Sequence, residues 1–281
     1  DVYKRQDMSD IDVVKDMFER GIIHCRLSKL SITNCKRFKE KAEFNFIFPL
    51  AVLVGQNGSG KTTVTRAIKL LKPNYEPQCE FFEIEIDDGG FANARFDYIV
   101  DGQEFAYQHT ERPRKWSLEG ALPQNVSITS IQTKSFVGGI EKSFLYDNIV
   151  KSANREDQVD YVQRQAHKIQ QQPQEGNKKL RYSLTRNELA AVNQILDSCF
   201  QSVEIIRHRF FSGTWATNIL FQNESNFCEY NSGSGEFLVA TIVREVEKAQ
   251  NNSIVLIDEP EVSLHPRAQY RLVEYFFDAM K

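Results

Sequence analysis

The sequence predicts an α/β fold: a mostly parallel core sheet with an antiparallel β subdomain and a helical insertion. Three observations carry this prediction. An apolar run, Phe48–Val54, reads as a buried strand and enters a glycine-rich loop that opens a helical pattern. A second apolar run, Ser253–Ile257, closes on two adjacent carboxylates, Asp258 and Glu259. Between the two runs lie alternating segments punctuated by turn dipeptides, then a long polar stretch with helical spacing.

Taken in order, Ser9–Arg20 reads as a short amphipathic helix. Ser9 is its cap, Ile11, Val14 and Phe18 share a face, and Gly21 ends it. Asp1–Gln6 reads as a translated adapter and is set outside the fold. Leu30 and Ile32 alternate with polar residues, as do Phe44, Phe46 and Phe48. The basic group between them, Lys36, Arg37, Lys39 and Lys41, reads as a solvated loop. After the glycine loop, Val64, Ala67, Ile68 and Leu71 fall at helical spacing. Pro73 and Pro77 then break the chain.

Phe82, Ile84 and Ile86 alternate, Asp87–Gly90 turns the chain, and Ala92, Ala94, Phe96, Tyr98 and Val100 alternate again. Asp101-Gly102 is a hairpin dipeptide, with Phe105 and Tyr107 continuing the pattern. Arg112–Trp116 reads as a basic surface loop. Val126–Ile131 reads as a strand. Glu141–Gln172 is expected to be helical, and Gln170–Lys179 to be a loop. Thr185 and Glu188 form a capping box, opening a helix that carries Leu189, Val192, Ile195, Leu196 and Cys199. Strands are expected at Val203–Phe210, Ile219–Phe221 and Phe227–Tyr230.

Composition narrows the function classes. Of 281 residues, 41% are hydrophobic, so a sizeable core is expected and global disorder is not. A net charge of −3 argues against a surface coated in positive charge. The five cysteines form no C-x-x-C pair, which predicts reduced thiols and a cytoplasmic setting. No apolar run is long enough to span a bilayer, so no membrane role is expected.

The chemistry centres on Gly55-Gln56-Asn57-Gly58-Ser59-Gly60-Lys61-Thr62, followed by Thr63. It fits G-x-x-x-x-G-K-[ST], the phosphate-binding P-loop. Its glycines let several N–H groups converge on one oxyanion. Lys61 is placed to reach the β- and γ-phosphates of a nucleotide, and the Thr62 hydroxyl to ligate Mg²⁺. Ser253–Pro260 has the Walker B pattern. Asp258 is expected to hold Mg²⁺, and Glu259 to orient or deprotonate the attacking water. Asn231-Ser232-Gly233-Ser234-Gly235-Glu236 precedes a helix expected from Phe237 to Lys248, whose apolar face is Val239, Ile242, Val243 and Val246. Free N–H groups at such a start make a second anion site, although a plain helix cap reads equally from the residues alone.

P-loop, Ser-Gly-Ser-Gly-Glu and IVLIDEPEVSLHP together resemble the ABC-type ATPases, and within them the SMC/RecF-like and OLD-like branch of AAA family ATPases. Leu27–Phe38 is similar to that branch's first strand and turn. The spacing is close to that of the ATPases of retron and Septu-type anti-phage systems. The resemblance implies residues 1–23 as an N-terminal extension and 24–281 as an ABC-type ATPase domain, with a β subdomain at about 80–110 and a helical insertion at about 141–200.

It also implies heads that dimerise around ATP and Mg²⁺. Gly55–Thr63 then bind nucleotide, with Lys61 and Glu259 catalytic. Ser232, Gly233, Ser234, Gly235 and Glu236 act in trans as the signature, with Ser234-Gly235 preferred at the phosphate. Gln132 is the Q-loop candidate. Ser263, Leu264 and His265 fall at the D-loop, where His265-Pro266 reads equally as a helix start. Met280-Lys281 lies inside a helical pattern, so the chain reads as C-terminally truncated, with the switch histidine expected beyond it. The function implied is ATP binding and hydrolysis coupled to homodimerisation, in anti-phage defence or DNA maintenance, with a partner nuclease or DNA. Two alternatives stand beside it: an ATP-dependent sensor or clamp with negligible turnover that controls an effector nuclease, and a transporter's nucleotide-binding subunit.

Overall fold

The computed structural model describes residues 3–82, 90–124, 126–132, 174–175, 178–179, 181–209, 215–229 and 231–281. The expected strand at Ile84–Ile86, the Asp87–Gly89 turn and the helical stretch 141–172 lie outside the described residues. The predicted α/β class holds. The chain forms two compact units, one comprising 1–131, 249–258 and 280–281, the other 132–248 and 259–279.

In the first unit, α1 spans Tyr3–Glu19. It begins six residues before Ser9, so Ser9 lies inside the helix and is no cap, and Tyr3–Gln6 belong to the element. Gly21 follows at φ +69, a left-handed position that suits glycine after a helix end. Strands β1 (Leu27–Thr33), β2 (Ala42–Asn45), β3 (Arg95–Val100), β4 (Gln103–Glu111) and β5 (Arg114–Glu119) form one sheet in the order β2-β1-β3-β4-β5. These ladders are antiparallel.

The β3–β4 link is Asp101-Gly102, at φ +48 and +77, and Val100 pairs with Gln103. Two positive φ values in a two-residue loop match the twist of the flanking strands. Arg112–Trp116 is no surface loop: Arg114–Glu119 is paired along β4, and the turn before it is only Arg112-Pro113. Ala92 and Ala94 precede β3, with Phe91–Ala94 closed as a turn by Ala94 N–H to Phe91 O at 2.9 Å.

One face of this sheet buries Leu30, Ile32, Phe96, Tyr98 and Val100 against Val64, Ala67 and Ile68 of α2 (Lys61–Lys69) and against Leu71 just after it. Buried Tyr98 donates its hydroxyl to Ala67 O at 2.8 Å, pinning the helix that follows the glycine loop. Burial also pushes the Tyr98 hydroxyl well above its usual pKa. The opposite sheet face is polar and carries the ion pairs Lys29–Glu43 and Arg95–Asp97.

Phe48–Val54 differs from the expected buried strand. It is assigned no strand, and Val52 and Val54 are 76% and 91% exposed. A run apolar on both faces is held as a strand only where neighbours pair with it and both faces are covered. No described strand pairs with it. The other apolar run does form a strand: β13 (Ile254–Asp258) pairs with β6 (Ile128–Gln132) and touches α2.

In the second unit, β9 (Arg181–Ser183), β10 (Ser202–Arg209), β11 (Trp215–Gln222) and β12 (Asn226–Cys228) form an antiparallel sheet in the order β12-β11-β10-β9. Within Gln170–Lys179, Gln174–Glu175 (β7) and Lys178–Lys179 (β8) pair as short strands. Helix α3 (Arg186–Leu196) opens on the expected capping box, with Glu188 N–H to Thr185 Oγ1 at 3.3 Å and Thr185 N–H to Glu188 Oε2 at 2.6 Å. It ends at Asp197, φ +58, so Cys199 lies past the helix and is exposed. Helices α4 (Ser234–Lys248) and α5 (Pro266–Ala279) pack on α3 and on each other.

Glu188 joins three elements. It receives hydrogen bonds from Tyr182 at 2.7 Å and Arg244 at 3.0 Å, and Arg244 lies over the Tyr182 ring. Burial alone would raise the Glu188 carboxyl, but these donors and Thr185 hold it below the usual carboxylate range.

Candidate nucleotide-binding site

The glycine loop is built by steric permission and anchored by its helix. Gly60 caps α2 at φ +106 and ψ 6, and Gly58 sits at φ +76. Ser59 N–H closes on Gln56 O at 3.1 Å, and Thr63 and Val64 N–H both reach Gly60 O. The first turn of a helix leaves N–H groups without intrahelical partners, and glycine offers no side chain to take them. The positive dipole end therefore faces the loop. Lys61 folds back over it, donating from Nζ to Gly55 O at 2.6 Å and Gln56 O at 3.1 Å. Both acceptors are neutral, so these bonds leave its positive charge uncompensated. Thr62 is exposed, whereas Thr63 is only 5% exposed and turns into the core.

Arg37, expected in a solvated loop, and its neighbour Phe38 lie at this site. Asn34–Phe38 forms a tight turn in which Cys35 and Phe38 exchange backbone hydrogen bonds of 2.9 Å. Phe38 brings its ring edge so close to Gly60 that a β-carbon there would lie 2.6 Å from Cζ. Arg37 Nη2 lies 3.9 Å from the corresponding point on Gly58, so a second cation borders the loop. Burial beneath this turn pushes the Cys35 thiol up to about 12 despite Lys36 and Lys39 nearby. The four-residue basic cluster hid this role because the approach of Phe38 to Gly60 spans distant parts of the chain.

Asp258 ends β13, at the carboxyl end of an apolar strand in the same unit as the loop. Glu259 follows at φ +51, a left-handed conformation costly for a side chain with a β-carbon. Gln132 is the last residue of β6.

In the second unit, Ser234 and Gly235 are the first two residues of α4, three earlier than the helix start at Phe237 that the sequence suggested. Gly233 stands before them and donates its N–H to Glu236 Oε2 at 2.8 Å. Ser232 Oγ instead faces Glu229 O at 3.1 Å. Gly235 packs against the turn after Glu259. A β-carbon there would lie 2.8 Å from Ser263 O and 3.1 Å from Leu264 Cδ2. Ser263 is at φ +68, and Gln269 Nε2 holds the turn through Leu264 O at 3.0 Å. His265 caps α5. Its Nδ1 accepts from Arg267 N–H at 3.3 Å, its carbonyl accepts from Ala268 N–H at 2.8 Å, and Pro266 occupies the first helical position. The second unit thus brings Ser234-Gly235 and Ser263-Leu264 together.

Among the described residues, no group of three His, Cys, Asp or Glu side chains could hold a metal by itself. Mg²⁺ is usually bound through one or two protein ligands plus substrate phosphates. Thr62 and Asp258 are oxygen donors of the right kind. No described helix is long and apolar enough to cross a membrane.

A glycine loop at a helix N-terminus, a lysine folded over it and an acid-tipped apolar strand in one unit define a P-loop nucleotide-binding protein of the α/β class. The chain belongs to the AAA_21 family, described as AAA domain, putative AbiEii toxin, Type IV TA system, whose model matches residues 50–281. Among solved structures, the SMC head domain from Thermotoga maritima is similar at 12% identity and a TM-score of 0.47, over 91% of this chain and 86% of that one. No curated protein matches the chain.

Proposed function

We propose that the chain is an ATP-binding and ATP-hydrolysing head that dimerises head-to-head around Mg-ATP. One observation carries the reading: the left-handed Gly60 hinge opens α2 directly onto a loop spanned by Lys61. When bound, Mg²⁺ neutralises charge on the β- and γ-phosphates, and Thr62 and Asp258 are the residues that would hold it. Lys61 exchanges its neutral carbonyl partners for phosphate oxygens, and Arg37 adds a second positive charge at the loop. Glu259 orients or deprotonates the attacking water, with Gln132 as the Q-loop residue. Ser234 and Gly235 offer N–H groups at the start of α4 to the γ-phosphate held by a second copy, with Ser263–His265 at the joint.

Five free cysteines, with Cys35 buried, support a reducing, cytoplasmic setting. The domain division expected from the sequence is kept as part of this reading: an N-terminal extension of 1–23 and a helical insertion of about 141–200 that serves a partner nuclease or DNA.

A second reading is compatible with the family description, which names a putative toxin. In that reading the chain is an ATP-dependent sensor or clamp that controls an effector in defence, with negligible turnover. Calorimetry and turnover separate the cases. Lys61→Ala should abolish or greatly weaken Mg-ATP binding in both readings, and unchanged affinity would sink both. Turnover abolished by Glu259→Gln supports hydrolysis, whereas tight binding without turnover in the parent selects the sensor.

A further inference from the structure

We infer that Glu229 is the positioning residue that sets the Ser232–Glu236 turn for a phosphate. This rests on the reading of that turn as the signature. Strand β12 ends at Cys228, but its pairing with β11 continues for one more residue, because Glu229 N–H donates to Ile219 O at 2.9 Å. The Glu229 side chain then turns back on the same strand. Oε2 accepts from Ile219 N–H at 3.1 Å, and Oε1 accepts from Asn218 Nδ2 at 2.6 Å. Glu229 thus grips Ile219 through backbone and carboxylate at once.

From this anchor the turn is fixed residue by residue. The Glu229 carbonyl accepts from Ser232 N–H at 3.3 Å and from Ser232 Oγ at 3.1 Å. Gly233 N–H meets Glu236 Oε2, and the Gly233 carbonyl accepts from Glu236 N–H at 3.0 Å. The chain from β11 to the first turn of α4 is therefore tied to a buried carboxylate, in which Glu229 is 8% and Asn218 1% exposed. Hydrogen bonds in a buried, low-dielectric setting are electrostatically stronger than the same bonds in water. They hold the N–H groups of Ser234 and Gly235 in place before any ligand arrives, so no ordering is left to be done when a phosphate docks.

The structure also says which substitution should be harmless. Asn218 Oδ1 is buried and has no hydrogen-bond partner among the described residues. In Glu229→Gln, the glutamine oxygen can still accept from Ile219 N–H. Its amide then faces Asn218, which turns over to present Oδ1 as the acceptor and leaves Nδ2 in place of Oδ1 as the buried atom without a partner. Both side-chain bonds survive. Glu229→Ala removes both and strands the Asn218 amide.

The test measures kcat and KM for Mg-ATP, Mg-ATP affinity by calorimetry, and hydrogen exchange at the amides of Ser232–Gly235. It compares the parent with Glu229→Ala, Glu229→Gln, Asn218→Ala and Ser234→Arg. Glu229→Ala should keep KM and ATP affinity within about twofold, because the P-loop lies in the other unit, while kcat falls roughly tenfold to a hundredfold. Its turn amides should exchange faster. Glu229→Gln should restore kcat and protection, and Asn218→Ala, which keeps the Ile219 bond, should lie between.

The inference is overturned by unchanged exchange in Glu229→Ala, by failure of Glu229→Gln to rescue, or by loss of KM and kcat together in both alanine variants. Ser234→Arg tells the two failures apart. If it abolishes turnover while Glu229→Ala does not, the positioning role is wrong. If it also leaves turnover intact, the signature reading itself is wrong and the inference falls with it.

Discussion

Gly60→Ala is the sharpest small change available. The residue sits at φ +106, outside the regions that a residue with a β-carbon adopts readily. Forcing alanine there costs roughly 1–3 kcal/mol. Its β-carbon would also lie 2.6 Å from Phe38 Cζ and 2.7 Å from Cε2. The ring cannot easily swing aside, because its other contacts include Phe44 in an edge-to-face pair at 5.8 Å. Such overpacking costs another 1–3 kcal/mol or so. The sum, about 2–6 kcal/mol, must be met by moving the loop, the start of α2 or the Asn34–Phe38 turn. At about 1.4 kcal/mol per decade, Mg-ATP affinity should fall at least about thirtyfold. The melting temperature should drop by at least about 5 °C. Calorimetric titration and a thermal melt read both. Phe38→Ala removes the overlap and leaves the dihedral strain, so Gly60→Ala introduced into a Phe38→Ala background should cost roughly half of what it costs in the parent. A Gly60→Ala protein that binds and melts like the parent would refute the reasoning about this loop.

Three further outcomes follow from the same geometry. Arg37→Ala should weaken Mg-ATP binding roughly three- to tenfold and make the remainder less salt-sensitive, as a titration at two ionic strengths would show. Tyr98→Phe should destabilise the first unit by about 0.5–1.5 kcal/mol in a denaturant melt, through loss of the bond to Ala67 O. The carboxyl of Glu188 is held below its ordinary 4.5, so its contribution is fully present above that pH and is lost as pH falls through the lower folded value. Glu188→Gln should therefore melt below the parent at pH 7, and the gap should close as pH falls from 4.5 through the lower folded value; a constant gap would remove the carboxylate from the account.

What was legible in the sequence was what short-range chemistry decides. Asp101-Gly102 and the Thr185–Glu188 box need only their own few residues, and both form as read. The glycine loop likewise announces its helix, because positive φ at Gly58 and Gly60 is a local demand. Elements that depend on distant neighbours were harder to read. The apolar run Phe48–Val54 cannot say whether another strand lies beside it, and Arg112–Trp116 reads as a basic loop because an edge strand carries polar side chains without penalty. The site shows the same division. Lys61, Asp258 and Glu259 are marked by their motifs. By contrast, Phe38 against Gly60 and Ser263 against Gly235 join residues far apart in the chain, and Glu229 on Ile219 crosses between two strands, so no motif spacing reaches them.

The central claim is that this head hydrolyses ATP with Glu259 in a dimer closed around the nucleotide. Light scattering on Glu259→Gln with Mg-ATP, beside a turnover assay, tests it most directly. The substitution keeps shape but removes the base, and losing one positioned base costs on the order of a hundred- to ten-thousandfold in rate. Lys61, Thr62 and Asp258 are untouched, so nucleotide still binds. The account predicts that Glu259→Gln doubles in mass with Mg-ATP, does not turn it over, and stays monomeric when Ser234→Arg is added. A Glu259→Gln protein that hydrolyses ATP at the parent rate, or that stays monomeric at saturating Mg-ATP, would contradict it.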